Sequence, residues 1–135
     1  MELVFKKLNL KKVLNERALY CFCELKDYVD FEIKRIYFIQ DCAQATNQHC
    51  HKIEKELFIM VKGSCVAVID RGRGQEEIPM NSPDEAIYLG SFVWHGFKNF
   101  SSDAVLLALS STNYNPDRSD YVEDYEEYKK IIMGD

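Results

Sequence analysis

Short apolar or alternating segments recur along the chain at intervals of about ten residues. They cover residues 18–24, 31–40, 56–61, 65–70, 85–90 and 105–110. Segments of this length and spacing are typical of a sandwich or barrel, because each strand crosses the domain once before a turn reverses the chain. The pattern therefore predicts an all-β fold.

Two further local patterns predict a hairpin turn and a C-terminal helix. Gly72 and Gly74 stand between two predicted strands and supply the positive φ angles of a hairpin. Near the C-terminus, Asp120 is followed three residues later by Glu123, which is typical of a helix capping box. The sequence thus predicts a helix over residues 121–132. The stripe expected to pack against the strands consists of Tyr121, Tyr125, Tyr128 and Ile132.

Length, charge and cysteine count narrow the class of protein. The 135 residues suffice for one domain, 1–135, that encloses a small cavity. A net charge of −5 offers no basic face for nucleic acid. The chain has no signal-peptide pattern and no apolar run of membrane-spanning length, so we expect a cytoplasmic protein without a membrane partner. The five cysteines are odd in number and irregularly spaced, which predicts reduced thiols.

All three histidines of the chain fall into one pattern with a carboxylate. On an extended strand, His49 and His51 point to the same side, roughly 6.6 Å apart along the backbone. This spacing suits neighbouring carbons of one small ring. It also suits one metal ion, if Glu56 and His95 arrive from adjacent strands to complete the ligand set. Both interpretations stay open from the residues alone.

A second group of polar residues is predicted to face the interior. Alternation places five side chains on one face of the strand over residues 31–40, namely Phe31, Ile33, Arg35, Tyr37 and Ile39. Arginine and tyrosine are unfavourable in a purely apolar core, so this face is expected to line a ligand cavity. There Arg35 is suited to a phosphate oxygen or a developing negative charge, and Tyr37 to a sugar hydroxyl. A structural polar network or a dimer edge would explain the same two residues.

The spacing of the histidines resembles the sequence motifs of cupins. The first motif is matched by His49, His51, Glu56 and Gly63, and the end of the second by His95 and Asn99. The chain departs from the second motif at Gly90 and Phe92, where cupins usually have proline and glycine. The resemblance implies a cupin (jelly-roll) barrel followed by a short C-terminal helix.

A closer resemblance spans nearly the whole chain. It rests on residues 31–39, 49–52, 93–95 and 99–103, and on the tyrosine-rich acidic tail. These segments resemble the bacterial thymidine-diphosphate-4-keto-6-deoxyglucose 3,4-ketoisomerases, sometimes called WxcM-like. The resemblance implies a small cupin that works without cofactor or metal on a dTDP-linked 4-keto-6-deoxyhexose. It also implies a homodimer with exchanged N-terminal strands.

The same resemblance implies roles for individual residues. The family's His-Ala-His-Lys corresponds to residues 49–52, which places His49 and His51 at the positions of the catalytic histidines. The other expected substrate-binding residues are Arg35, Tyr37, Lys52 and His95, together with Arg17, which would reach the cavity of a neighbouring subunit. Where the family usually has Arg-Gly, this chain has Thr46 and Asn47. One phosphate-binding arginine of the family is therefore missing.

Glu56 keeps two other functions open. It stands where the family often has glutamine, and a carboxylate there completes the metal quartet of ordinary cupins, His49, His51, Glu56 and His95. The alternative enzyme is accordingly a metal-dependent cupin, either a dioxygenase or a metal-assisted isomerase. A third possibility is a cupin that only binds a sugar, since the fold by itself does not specify chemistry.

The implied reaction moves a ketone from C4 to C3 of the sugar by proton transfer. An imidazole, with an unperturbed pKa of about 6.5, is suited to both removing and returning a proton near neutral pH. One hypothesis has His51 exchange the carbon-bound proton while His49 shuttles a proton between the oxygens; the reverse assignment is open. The product, with the galactose or the glucose configuration at C4, would feed an aminotransferase that makes a 3-amino-3,6-dideoxyhexose for a surface glycan such as O-antigen lipopolysaccharide.

Overall fold

The computed structural model describes residues 1–134, which form twelve strands and two helices. The strands are β1 Phe5–Asn9, β2 Lys11–Leu14, β3 Leu19–Phe22, β4 Arg35–Gln40, β5 Cys50–His51, β6 Glu56–Lys62, β7 Ser64–Asp70, β8 Gln75–Asn81, β9 Glu85–Leu89, β10 Trp94–Lys98, β11 Val105–Ser110 and β12 Tyr121–Val122. The helices are α1 Leu25–Tyr28 and α2 Tyr125–Met133. Neither helix has the length and apolar character that crossing a membrane requires.

Two antiparallel sheets make up the body of the molecule. One has the strand order β1-β9-β6-β11-β4 and the other the order β10-β7-β8. Side chains from both sheets meet in one apolar core, to which β6 contributes Phe58 and Met60, β7 contributes Ala67 and Ile69, and β10 contributes Phe97. Two sheets that share a core in this way form a jelly-roll sandwich. The predicted all-β fold with a short C-terminal helix is confirmed.

Strand β4 alternates between the core and solvent, as the pattern predicts. Tyr37 and Ile39 pack against the core between the sheets, while Ile36 and Phe38 face outward. The prediction that the strand and its inward face begin at Phe31 is wrong, however, because β4 begins at Arg35. Phe31 and Ile33 precede the strand and pack on the opposite face of the five-stranded sheet, against a second cluster that includes Leu57 and Tyr88.

The hairpin between β7 and β8 forms at the predicted glycines. Gly72 and Gly74 have φ angles of 92° and 93°, in the region that residues with a side chain rarely adopt. The two strands pair along their whole length, from Ser64 opposite Asn81 to Asp70 opposite Gln75. The hairpin predicted from the two glycines is thus present.

The predicted C-terminal helix starts four residues too early. Tyr121 and Val122 form the short strand β12, which pairs with β5, and the helix α2 begins only at Tyr125. Its N-cap is Asp124, whose carboxylate accepts hydrogen bonds from the backbone N–H groups of Glu126 and Glu127. The helix packs against the strands as predicted, since Tyr128 is buried against Trp94 of strand β10.

Asp120, the expected cap, has a different partner. Its carboxylate accepts hydrogen bonds from the backbone N–H groups of Ile53, at 2.6 Å, and Glu54, at 3.2 Å. These bonds tie the start of the C-terminal segment to the loop that follows β5. The capping-box signature is local, and here the pairing of distant segments overrides it.

The N-terminal segment is divided between a packed strand and an exposed hairpin. Strand β1 joins the edge of the five-stranded sheet by pairing with β9. Strands β2 and β3 pair only with each other, and all of their residues are exposed. Several of these exposed side chains are large and apolar, including Leu14, Leu19 and Phe22.

Gly63, between β6 and β7, provides a test of how tightly the sandwich is packed. Its φ angle is 73°, and a Cβ at this position would meet the Ser101 side chain and lie 2.9 Å from the Ala104 Cα. Gly63→Ala should lower the free energy of unfolding by about 2–4 kcal/mol, because backbone strain and overpacking add. Gly74→Ala is the matched control, since its φ is 93° but the space around it is open. It should cost only the strain, about 1–2 kcal/mol. Equal losses in urea unfolding of the two variants would contradict the packing argument.

Candidate active site

The three histidines meet at one place because two distant segments pair. His49 lies just before β5 and forms an isolated antiparallel bridge with His95 on β10, through two backbone hydrogen bonds of 3.0 and 2.8 Å. The extended backbone then turns His51 to the same side as His49. The ring centroids of His49 lie 4.8 Å from those of both His51 and His95. Cys50, between the two histidines, points the other way and is fully buried.

A cavity of about 270 Å³ opens in front of this cluster. Its lining consists of Tyr37, Ile39, Thr46, Asn47, His49, Phe58, His95, Phe97, Arg118 and Tyr121. His49 and His95 thus face the cavity directly. His51 is not part of the lining, is only 4% exposed, and contacts His49 through an Nε2–Nε2 distance of 3.2 Å. Relative to the cavity, His51 is therefore the inner histidine, and His49 and His95 are the outer ones.

Glu56 joins the cluster from strand β6. Its Oε1 lies 3.5 Å from His51 Nε2 and 3.4 Å from His95 Nε2, and its Oε2 accepts a hydrogen bond of 2.5 Å from the Tyr37 hydroxyl. Glu56 is 1% exposed. Burial alone would raise the pKa of its carboxyl, but His51 and His95 outweigh that effect and hold this pKa well below its usual value. Glu56 is therefore a buried anion that needs a positive charge nearby.

The group best placed to supply that charge is His51. Besides Glu56, its Nε2 lies 3.2 Å from Glu54 Oε2 and its Nδ1 lies 3.2 Å from Asp120 Oδ2. Burial lowers the pKa of His51, but the three carboxylates outweigh burial, so the pKa is raised above its usual value. Arg35 offsets part of this negative charge by donating a hydrogen bond of 3.0 Å to Glu54.

His49 is in the opposite electrostatic situation. Burial, reinforced by the charges of His95 and His51, lowers its pKa to about 3. At neutral pH the imidazole that faces the cavity is thus uncharged, and the imidazole behind it favours the proton. An uncharged imidazole in contact with one that binds a proton more tightly is suited to proton transfer to and from a bound molecule.

The remaining predicted residues lie at different distances from the cluster. Tyr37 lines the cavity, whereas Arg35 is held beside it by Glu54 and stacks on the Tyr37 ring at 5.1 Å. Lys52 lies outside, in a neighbouring groove that it shares with Glu54 and Tyr114. Arg17 is exposed in the turn between β2 and β3. The single chain therefore brings Tyr37 and His95 to the histidine pair, and leaves Lys52 and Arg17 apart from it.

The sequence analysis did not predict four residues that adjoin the histidines or line the cavity, namely Glu54, Asp120, Arg118 and Tyr121. The Tyr121 ring lies 4.5 Å from the His51 ring and 5.0 Å from the His49 ring, centroid to centroid. Glu54 follows His51 by three residues, a spacing that could have drawn attention to it. Asp120 and Tyr121 come from the segment that was predicted to start a helix, and Arg118 lies just before it, so no local signal placed these three residues here.

The same cluster has the donor set of a metal site. Within residues 1–134, His49, His51 and His95 each offer a ring nitrogen, and these atoms all lie within 4.8 Å of one another. Oε1 of Glu56 is buried without a hydrogen bond and adjoins two of them. Three imidazoles and one carboxylate suit a divalent transition metal. These residues could hold such an ion.

A two-sheet jelly roll that encloses three histidines and a glutamate is, by fold and site, a cupin. The sequence profile of the FdtA family, described as "WxcM-like, C-terminal", matches residues 4–133 of the chain. The chain belongs to this family, which confirms the resemblance predicted from the sequence.

Three similar proteins place the chain more closely. The TDP-4-oxo-6-deoxy-alpha-D-glucose-3,4-oxoisomerase of Aneurinibacillus thermoaerophilus is 35% identical over 129 residues, covering 94% of this chain and 91% of that protein. A 3,4-ketoisomerase from Helicobacter canadensis is 34% identical with a TM-score of 0.86, covering 96% of this chain and 97% of that one. A double mutant of the 3,4-ketoisomerase QdtA from Thermoanaerobacterium thermosaccharolyticum, in complex with TDP, is 26% identical with a TM-score of 0.88, covering 96% and 94%.

The charge on Asp120 should set the protonation of His51. In Asp120→Asn the amide oxygen can still accept the two backbone hydrogen bonds, but the negative charge beside Nδ1 is lost, so the pKa of His51 should fall. NMR titration of the imidazole resonances measures this change. Asp117→Asn, in the same loop but fully exposed, is the control and should leave the pKa of His51 unchanged.

The same titration has a consequence for stability. Because the pKa of His51 in the folded protein is raised above the unfolded value of about 6.5, its contribution to stability is fully present below that pH. The contribution is lost as the pH rises through the folded pKa. Urea unfolding from pH 5 to 9 should show this loss in the wild type and a smaller one in Asp120→Asn. An unchanged pKa and an unchanged pH profile would contradict the assigned role of Asp120.

Proposed function

We propose that this protein is a sugar-nucleotide 3,4-ketoisomerase that converts dTDP-4-keto-6-deoxyglucose into a dTDP-3-keto-6-deoxyhexose by histidine acid/base catalysis. The observation that carries the proposal is the contact of 3.2 Å between His49, which is neutral and faces the cavity, and His51, which is buried among carboxylates. The 35% identity to a TDP-4-oxo-6-deoxyglucose 3,4-oxoisomerase supports the substrate and the reaction class, which is isomerase.

The reaction needs a proton acceptor next to C3 of the sugar. The acceptor takes the C3 proton, the bonding electrons form an enediolate, and a proton is returned at C4 while the oxygen-bound protons exchange. No electron acceptor is needed, because C3 is oxidised as C4 is reduced. The geometry favours His49 for this exchange with carbon, since His49 lines the cavity and His51 does not. This is the reverse of our first hypothesis.

The low pKa of His49 becomes an advantage as the reaction proceeds. Its pKa is depressed partly by the charges of His95 and His51. A negative enediolate beside His49 offsets that repulsion, so the affinity of His49 for a proton rises toward the transition state. Once the proton has been returned to carbon, the low pKa is restored. His51, held by Glu56 and Asp120, supplies or accepts the proton that accompanies the oxygens.

Other residues are assigned supporting roles under this proposal. Tyr37, which lines the cavity and donates a hydrogen bond to Glu56, is suited to a sugar hydroxyl. His95 also faces the cavity, with its ring centroid 4.8 Å from that of His49, and is suited to the keto oxygen. Arg35 acts through Glu54 by neutralising it, and Lys52 is assigned to the phosphates from its groove beside the site.

Separate replacement of the two histidines tests the mechanism. His49→Asn should lower kcat by about 10²–10⁴-fold and abolish exchange of the C3 proton, because no acceptor remains at the cavity wall. His51→Asn should lower kcat within the same range, since Glu56 then loses its charge partner. The measurement is NMR of dTDP-4-keto-6-deoxyglucose in heavy water, following deuterium at C3 and C4. Near-normal turnover in both variants would remove the histidine mechanism, and bound sugar without any labelling by the wild type would leave a binding protein only.

A metal-dependent cupin is the second candidate function, and one observation favours it. The Glu56 Oε1 atom is buried without a hydrogen bond among the three histidine donors, as a metal ligand would be. A divalent ion held there would act as a Lewis acid on a carbonyl oxygen. Metal content of the purified protein, together with turnover before and after dialysis against a chelator, separates the two functions. Retention of full turnover by metal-free protein supports acid/base catalysis, and loss that added metal restores supports the alternative.

We infer that the protein acts as a homodimer that exchanges its N-terminal strands. The hairpin of β2 and β3 has no partner within the described chain, and β4 ends the five-stranded sheet with Ile36 64% exposed and Phe38 61% exposed. A second copy of the chain would cover both surfaces, and its hairpin would carry Arg17 toward the neighbouring cavity. Exposed apolar surface of this kind is typical of interfaces.

Charges on this edge should separate the two copies. The double variant Ile36→Lys/Phe38→Lys should sediment as a monomer where the wild type sediments as a dimer, because two lysines in an apolar interface are strongly unfavourable. Ile53→Lys is the control, since Ile53 is 70% exposed but belongs to the loop after β5 and not to the edge strand β4. A monomeric wild type, or a dimer that survives the double variant, would contradict the interface.

The proposed product indicates where the enzyme acts. A keto group at C3 is what an aminotransferase requires to make a 3-amino-3,6-dideoxyhexose, so the reaction is assigned to the synthesis of such sugars for surface glycans, including O-antigen lipopolysaccharide. Nucleotide-linked sugars are made in the cytoplasm, which is the proposed location. NMR of the product decides whether C4 has the galactose or the glucose configuration.

A further inference from the structure

The catalytic cavity is short of fixed positive charge. Ten residues of the described chain line it, and Arg118 is the one lysine or arginine among these ten. Thr46 and Asn47, which line the same cavity, are neutral. The nearby Glu54 and Glu56 are acidic and buried. A nucleotide diphosphate is strongly anionic, so a molecule of this kind needs a cation at the cavity to enter it.

Arg118 is a partly exposed residue of the cavity wall. Its side chain is 41% exposed, its guanidinium carbon lies 3.9 Å from the Tyr121 ring centroid, and it donates a hydrogen bond of 2.6 Å to Glu123. The backbone adopts a positive φ of 55° and is fixed by hydrogen bonds from Arg118 N to Asn115 O and from Tyr121 N to Arg118 O. A non-glycine residue with such a φ angle is uncommon, and the loop bonds maintain it here.

Tyr121 connects this guanidinium to the catalytic pair. The Arg118 guanidinium lies over the Tyr121 ring. The centroid of that ring lies 5.0 Å from the centroid of the His49 ring and 4.5 Å from that of the His51 ring. A group bound by Arg118 is therefore placed beside the histidines. A sugar attached to a diphosphate would reach His49 while its phosphates remain at the mouth of the cavity.

We propose that Arg118 anchors the diphosphate of the substrate, exchanging its hydrogen bond to Glu123 for phosphate oxygens while it remains stacked on Tyr121. This inference rests on the proposed function, because it adds to Lys52 a residue that lines the cavity itself and holds the phosphates of that substrate. The exchange is favourable on two grounds. The ion pair with Glu123 is solvent-exposed and therefore weak, and a planar guanidinium binds two phosphate oxygens at once.

Binding of two probes, dTDP and thymidine, tests the anchor by isothermal titration calorimetry. Arg118→Gln should weaken dTDP binding by about tenfold or more, because a charge-assisted pair is lost, and should leave thymidine binding unchanged. The KM for dTDP-4-keto-6-deoxyglucose should rise with the loss of dTDP affinity, and kcat should change much less. Glu123→Gln should tighten dTDP binding, since it removes the group that competes with phosphate for the guanidinium.

Two further variants distinguish the anchor from a general effect of charge or folding. Arg118→Lys should recover part of the dTDP affinity, because it restores the charge without the two-pronged geometry. Arg73→Gln removes an exposed arginine that also lies near a glutamate but belongs to the β7–β8 hairpin, and it should bind dTDP as the wild type does.

The outcomes separate this inference from the proposed function. If the wild type binds and turns over the sugar nucleotide but Arg118→Gln binds dTDP equally well, the anchor is wrong and the isomerase stands. Equal weakening of dTDP and thymidine in Arg118→Gln would also overturn the anchor, because the residue would then shape the cavity and not bind phosphate. If the wild type binds no dTDP, both the isomerase and the anchor are wrong.

Discussion

The site depends on one piece of backbone pairing, the antiparallel bridge between His49 and His95. Two hydrogen bonds between these residues hold the segment before β5 against β10, and strand geometry then turns His51 to the same side. No side-chain interaction would bring three imidazoles so close, because buried imidazoles repel one another when protonated. The backbone imposes the proximity, and the surrounding charges must accommodate it.

The accommodation is an unequal distribution of acidic groups. Glu54, Glu56 and Asp120 all lie within 3.5 Å of His51 nitrogens, whereas burial and the other histidines dominate at His49. The pKa values of the two neighbours therefore move in opposite directions, which assigns the proton to one of them. Pairs of titratable groups separated in this way are typical of acid/base sites. The positions of the carboxylates around His51 thus determine that His49, the imidazole that faces the cavity, is the uncharged one.

The sequence revealed what is local or periodic and missed what depends on distant contacts. Strands β6, β7, β9 and β11, the glycine hairpin and the common side of His49 and His51 follow from the apolar segments, period-two alternation and turn chemistry. Asp120 was misread because its capping signature is local, whereas β12 pairs with β5 some seventy residues earlier. The metal and acid/base interpretations of the motif differ in electrostatics, which residue spacing does not contain.

Glu56 shows why the two interpretations share one residue set. A buried carboxylate must be compensated, and either a divalent ion or a protonated imidazole can do so. The Tyr37 hydroxyl donates a hydrogen bond to Glu56 Oε2, so Oε1 is the oxygen that faces His51 and His95. With a proton on His51 the compensation comes from within the chain, and Asp120 and Glu54 reinforce it on the remaining sides of that ring. Asp120 beside Nδ1 would orient a metal-bound His51 as well as a protonated one, and Glu54 forms with His51 and Glu56 a second group of possible metal ligands. The charge on His51 is therefore what separates the two interpretations, because an imidazole that binds a metal is neutral and one that acts as an acid is protonated.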